Sequence, residues 1–120
     1  IEQRVRSMQV NCITFADLLK KHGVEKIDLI LIDVEGYDYE MLKLIDVGRY
    51  TPGMVIYEET LLSRDDRAAG KQLLKDAGYE VIAAGRDIIG VQSSELASQP
   101  ILKEAWEFVQ KTDTKAVVAA

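Results

Sequence analysis

The sequence predicts an α/β fold: a mainly parallel sheet with a closing antiparallel hairpin. Three observations carry that expectation. Residues 27–33 (IDLILID) form an apolar run of the kind that is buried on both faces inside a parallel sheet. Residues 54–58 (MVIYE) repeat the pattern after a stretch of helical spacing. Two short runs near the end, residues 79–83 (YEVIA) and 88–92 (IIGVQ), flank Gly85-Arg86-Asp87 and read as a hairpin.

The elements follow in order. Residues 8–13 (MQVNCI) alternate loosely and predict a weak first strand. Thr14 stands three residues before Asp17, a capping-box spacing that starts a short helix. That helix stops at Gly23, with Lys20, Lys21 and His22 suited to the negative helix end. After the strand at 27–33, Gly36 permits a tight turn and Asp38 is a candidate cap. Met41, Leu42 and Ile45 then fall at helical spacing. Pro52-Gly53 breaks the chain before the strand at 54–58. Ser63 is another candidate N-cap, and Ala69, Leu73, Leu74 and Ala77 form an apolar stripe ending at Gly78. Beyond the hairpin, Pro100 suits the first turn of a last helix, with Leu102, Ala105, Trp106 and Val109 as its inner face. Residues 112–120 give no clear pattern. Strands alternating with helices imply the parallel sheet, and the hairpin implies one reversed strand, expected at an edge.

Composition limits the function classes. The 120 residues fit one domain of ordinary size. A 48% hydrophobic and 29% charged content is that of a globular chain. The net charge of -5 does not favour a phosphate backbone, so nucleic acid is not an expected partner. No apolar run approaches the roughly 20 residues of a membrane span, and no membrane association is expected. Cys12 is the only cysteine. It excludes an internal disulfide, fits a cytoplasmic, reducing location, and reads as a small buried hydrophobe. With one histidine and no CxxC, no metal site is expected. The chain starts at Ile1 rather than Met, which suggests a piece of a longer protein.

Ligands of open α/β sheets sit outside the carboxyl ends of the strands. Asp33 and Glu58 stand at two such ends, and Glu35 lies two residues past Asp33. A carboxylate following a buried strand needs compensation.

These residues carry a resemblance. The segment from Ile27 through Asp33-Val34-Glu35-Gly36 to Met41-Leu42 is similar to the central signature of FkbM-type methyltransferases: an apolar strand, Asp-x-Glu-Gly, then a helix containing Glu followed by Leu. Thr14-Phe15-Ala16-Asp17-Leu18-Leu19 resembles the family's Thr-Leu-Asp-Asp-Leu-Leu segment. Val55-Ile56-Tyr57-Glu58 resembles its next strand, and Leu73-Leu74, Gly78-Tyr79 and Asp87 match its closing helix and hairpin. The resemblance covers about residues 8–93. It implies a partial Rossmann-like methyltransferase fold, with residues 1–95 as the C-terminal half of the domain and 96–120 as a helical tail. Many members carry Lys or Gln where Leu31 stands, and Gly near Leu44. The glycine-rich cofactor turn and the ribose-binding acid of such folds have no counterpart in this sequence.

The resemblance further implies an S-adenosylmethionine-dependent O-methyltransferase acting on a sugar or secondary-metabolite hydroxyl. Asp33 is then the first candidate base and Glu35 the second, with Glu58 orienting them. Asp33 and Gly36 would border the cofactor. With its cofactor-side half missing, this chain alone is expected to be inactive. The same acids could instead hold a divalent cation. Two alternatives stay open: a receiver-like signalling module with Asp33 as phosphoryl acceptor, and a self-associating interaction domain. A sheet without its first strands exposes an edge, so a homo-oligomer joined there is expected.

Overall fold

The computed structural model describes residues 6–119, with side chains through residue 112. It is a mixed α/β structure with a four-stranded open sheet in the order β1-β2-β4-β3. Residues 8–13 form no strand and are exposed throughout, Cys12 included. The first-strand expectation therefore fails, as does that of a buried Cys12. The segment makes no backbone hydrogen bond to the sheet, and alternation without a pairing partner does not make a strand.

Helix α1 (Phe15–His22) is built as its sequence predicts. Thr14 Oγ1 accepts from the Asp17 N–H, Gly23 closes the helix, and Lys20, Lys21 and His22 occupy the last turn. Strand β1 (Leu29–Ile32) follows, then α2 (Asp38–Ile45), the single turn α3 (Val47–Tyr50) and β2 (Met54–Glu58). Helix α4 (Arg64–Asp76) starts on Ser63, whose side chain accepts from the Asp66 N–H. The hairpin β3 (Tyr79–Ala84) and β4 (Asp87–Gln92) turns through Gly85-Arg86, with Gly85 at φ 66°. A positive φ at the first central position is what a two-residue II′ hairpin demands. Helix α5 (Ser93–Ser98), which no sequence signal predicts, precedes α6 (Pro100–Ala119).

One strand pair of the three, β1 with β2, is parallel. Strand β4 is antiparallel to both β2 and β3. Consequently β1, β2 and β3 share a direction and the reversed strand lies inside the sheet, whereas the sequence reading placed it at an edge. The helix α4 connection is long enough to carry β3 past the open position that β4 then fills.

The sheet separates two clusters. One face packs Ile32, Val55, Tyr57 and Ile88 against Leu42, Ile45 and Leu74 of the helices. The other packs Val91 under Leu96 and Trp106, with Met54, Ile82, Ile89 and Leu102 around them. Ala105, placed on the inner face by spacing alone, is exposed. Strand β1 is not buried on both faces either. Leu29 is 54% and Leu31 68% exposed, while Ile32 on the opposite face is 6%. Its apolar composition matches a double-sided environment that the described residues supply on one side only.

Candidate active site

The carboxyl ends of β1 and β2 lie side by side. The paired register runs to Ile32 beside Tyr57, so Asp33 and Glu58 come one step beyond that pair. Asp33 and Glu35 are exposed, and Glu58 is half-buried. Alternation along β2 places Glu58 on the same sheet face as Met54 and Ile56, the face on which Leu29 and Leu31 stand uncovered.

The turn after β1 is unusual at Glu35, which adopts φ 49°. A non-glycine residue there costs on the order of 1–2 kcal/mol, and strain of this kind gathers at functional sites. Gly36 follows at φ 96°, and a Cβ there would meet Leu61 Cβ at 3.3 Å. Glycine thus satisfies both the backbone conformation and the close approach of the loop after β2.

Asp38 holds this turn to β2. Its side chain is fully buried. Oδ2 accepts from the Gly36 N–H at 3.2 Å and Oδ1 from the Glu58 N–H at 3.3 Å. The sequence reading gave Asp38 a capping role, but Tyr37 is the N-cap of α2 and Asp38 is its first residue. A buried carboxylate with two amide donors is instead the tie between the strand ends. Neither bond has a sequence signal: the carboxylate reaches back two residues to the Gly36 amide and forward twenty residues to that of Glu58.

A second group missed by sequence is Arg86, at the tip of the hairpin. Its guanidinium pairs with Glu58 Oε1, its Nε–H donates to Thr60 Oγ1 at 3.3 Å, and its carbonyl accepts from the Glu59 N–H at 3.0 Å. Glu59 in turn pairs with Lys71 of α4 at 2.7 Å. Glu58 is therefore already neutralised from within the fold. No ion pair or hydrogen bond reaches the Asp33 or Glu35 side chain among the described residues. The three acids share one end of the sheet, but they divide into two unengaged carboxylates and one committed to Arg86.

Two surface hollows lie elsewhere. One is lined by Leu42, Val47, Leu73 and Ala77, the other by Leu96, Lys103 and Trp106. Neither includes Asp33, Glu35 or Glu58. Among the described residues no group of three His, Cys, Asp or Glu side chains is disposed to hold a metal ion, and no helix is long and apolar enough to cross a membrane.

The model of the methyltransferase FkbM domain matches residues 2–81 of this chain. The chain belongs to the FkbM methyltransferase family. The matched segment contains the Asp33–Gly36 turn, Asp38, Glu58 and the whole of α4, and ends inside β3. No curated protein and no solved structure matches the chain.

Proposed function

We propose that this FkbM-family chain supplies the acceptor-side wall of an S-adenosylmethionine-dependent O-methyltransferase site, with a sugar or secondary-metabolite hydroxyl as acceptor. The observation that carries the reading is the arrangement of the two strand ends. The family's Asp-x-Glu-Gly turn is tied through the buried Asp38 to Glu58, leaving Asp33 and Glu35 unengaged and facing outward. Three strands of common direction with one reversed strand between the last two support a Rossmann-like reading of the sheet.

The donor set fits the cationic end of the cofactor. Asp33 and Glu35 bring two exposed carboxyl groups to this end of the sheet, and negative charge beside a sulfonium is favourable. Asp33 and Gly36 would border it there. When bound, S-adenosylmethionine supplies an electrophilic methyl group.

The chain's own residues would act on the acceptor. A sugar hydroxyl is a poor nucleophile until its proton is taken. The Asp33 carboxylate, exposed and unpaired, would accept a hydrogen bond from that hydroxyl and receive the proton as the oxygen attacks. Glu35, held by its strained turn, would accept a second hydroxyl and fix the orientation of the acceptor. Orientation of the two reactants is the larger share of the acceleration in a displacement of this kind. Glu58, neutralised by Arg86, serves as a fixed support and not as a base. A receiver-like module gains no support, since the first strand that it requires is absent from residues 8–13.

The test is methyl transfer from labelled S-adenosylmethionine to a panel of polyhydroxylated acceptors, with the gene product that carries this domain. Asp33→Asn is expected to lower turnover about 10²- to 10⁴-fold, the usual contribution of a general base, without loss of folding. Full turnover in that variant would remove Asp33 from the role.

A further inference from the structure

The turn after β1 is held in a conformation that its sequence resists. The Tyr37 N–H donates to the Val34 carbonyl at 3.2 Å, so residues 34–37 close a tight turn. Its two central residues, Glu35 and Gly36, have φ 49° and 96°. Turns with positive φ at both central positions take Asn-Gly or Gly-Gly by preference. Glutamate has neither the missing Cβ of glycine nor the short side chain with which asparagine bonds its own backbone. Strain of this kind persists only where the surroundings impose it.

Two neighbours impose it. Leu61, in the loop after β2, lies close against Gly36. That loop is itself pinned by α4. Arg67 donates to the Thr60 carbonyl at 2.6 Å and to the Leu62 carbonyl at 3.0 Å, and Lys71 pairs with Glu59. The second neighbour is Asp38. The ladder between β1 and β2 ends at Ile32 beside Tyr57, and the next amide of β2, that of Glu58, goes to Asp38 Oδ1. Oδ2 of the same carboxyl group takes the Gly36 N–H. Asp38 is fully buried and opens α2, so helix, strand and turn fix it together.

Resting on the methyl-transfer reading, we propose that Asp38 is a positioning residue of that site. Its two bonds hold Glu35 in the left-handed conformation that presents the exposed Glu35 carboxyl group beside that of Asp33, toward the cationic sulfur of the cofactor. Asp38 itself touches neither cofactor nor acceptor, since it is buried beneath the turn. Without its bond to the Gly36 amide, Glu35 relaxes to negative φ and its side chain leaves the end of the sheet. An asparagine at this position keeps the volume but offers one oxygen to two amides. Its NH2 group then meets the other N–H donor to donor.

Binding calorimetry on the gene product that carries this domain tests this without an acceptor. The probes are S-adenosylmethionine and S-adenosylhomocysteine, which differ by one methyl group and by the positive charge at sulfur. The ratio of their dissociation constants reports the charge placed beside sulfur, and a general loss of stability leaves it unchanged. Glu35→Gln is expected to shift that ratio toward S-adenosylhomocysteine about fivefold, the effect of one charge at close range in water. Asp38→Asn is expected to produce the same shift, and the double variant no larger one, because the two residues act as a unit. Equal weakening of both probes by Asp38→Asn overturns the proposal and leaves the methyl-transfer reading standing. So does an additive double variant, or a ratio that Glu35→Gln does not move. A wild-type protein that binds neither probe overturns the methyl-transfer reading and the role of Asp38 with it. Glu35→Asn serves where Asp38→Asn does not fold. Asparagine suits positive φ, so this variant is expected to raise the denaturation midpoint. An unchanged or lower midpoint shows that the turn is not held against its preference, and overturns the proposal as well.

Discussion

Two buried tyrosines show how little a residue type determines by itself. Tyr79 donates its hydroxyl to the Pro52 carbonyl at 2.6 Å. Tyr57, fully buried, has no hydrogen-bond partner among the described residues. Burial raises the ionisation of both above the ordinary tyrosine value, for Tyr57 with help from Glu59 and Asp38. Each phenol keeps its proton in the fold at a pH where the unfolded chain has lost it. Their contribution is therefore fully present below about pH 10 and declines as pH rises beyond it, by up to about 1.4 kcal/mol per pH unit for each group. In chemical denaturation at neutral pH, Tyr57→Phe is expected to be neutral or stabilising and Tyr79→Phe to lose about 1 kcal/mol. Tyr57→Phe should also flatten the alkaline decline. Asp38 belongs to the same scale. Asp38→Ala leaves two amides without an acceptor and is expected to cost roughly 1–3 kcal/mol, read as a lower denaturation midpoint. Neither the orphaned hydroxyl nor the two-amide carboxylate is visible in sequence, because both depend on what α2 and β2 bring near them.

At the scale of elements, local rules were legible and pairings were not. Thr14, Ser63, Gly23 and Pro100 mark helix ends through bonds or dihedrals within a few residues, and each stands where its chemistry predicts. The strand ends that hold Asp33 and Glu58 were legible for the same reason. The position of β4 was not, since insertion between β2 and β3 depends on pairings distant in sequence, from Met54 with Val91 to Glu58 with Asp87. The burial of β1 was misjudged because composition reports what a strand can tolerate and not what covers it. Packing between α4 and β2 yields a prediction. A Cβ at Gly70 would lie 2.7 Å from the Tyr57 hydroxyl and 3.3 Å from its Cζ. Alanine normally stabilises a helix interior over glycine by about 1 kcal/mol, yet Gly70→Ala is expected to destabilise this one. In the Tyr57→Phe background the penalty should shrink, so that the double variant is more stable than the sum of the single changes. Additive effects would show that the hydroxyl does not set the distance of α4 from the sheet.

As a whole molecule the chain is open. Its radius of gyration is 16.9 Å, against about 14 Å for a compact domain of this length. The larger cluster lies between the sheet and α1, α2 and α4; the smaller depends on Leu96 and Trp106. Such an arrangement predicts unequal stability across the sheet. Trp106→Ala, at a site 8% exposed, removes the main anchor of α6 and is expected to cost about 3–5 kcal/mol where the site cannot collapse. Hydrogen exchange should then accelerate throughout α6 while the β2 amides keep their protection. Equal acceleration of both would mean that the two clusters unfold as one.

The hairpin tip has a consequence for how this domain tolerates change. Turns at the ends of hairpins are ordinarily where chains accept extra residues, because nothing depends on their length. Here the two residues Gly85 and Arg86 carry the guanidinium that meets Glu58 and the carbonyl that receives the Glu59 amide. Lengthening this turn would swing both away from the strand end. Natural length variation in such a domain should therefore fall in other connections, and a grafted peptide or reporter is better accommodated in them than at this tip.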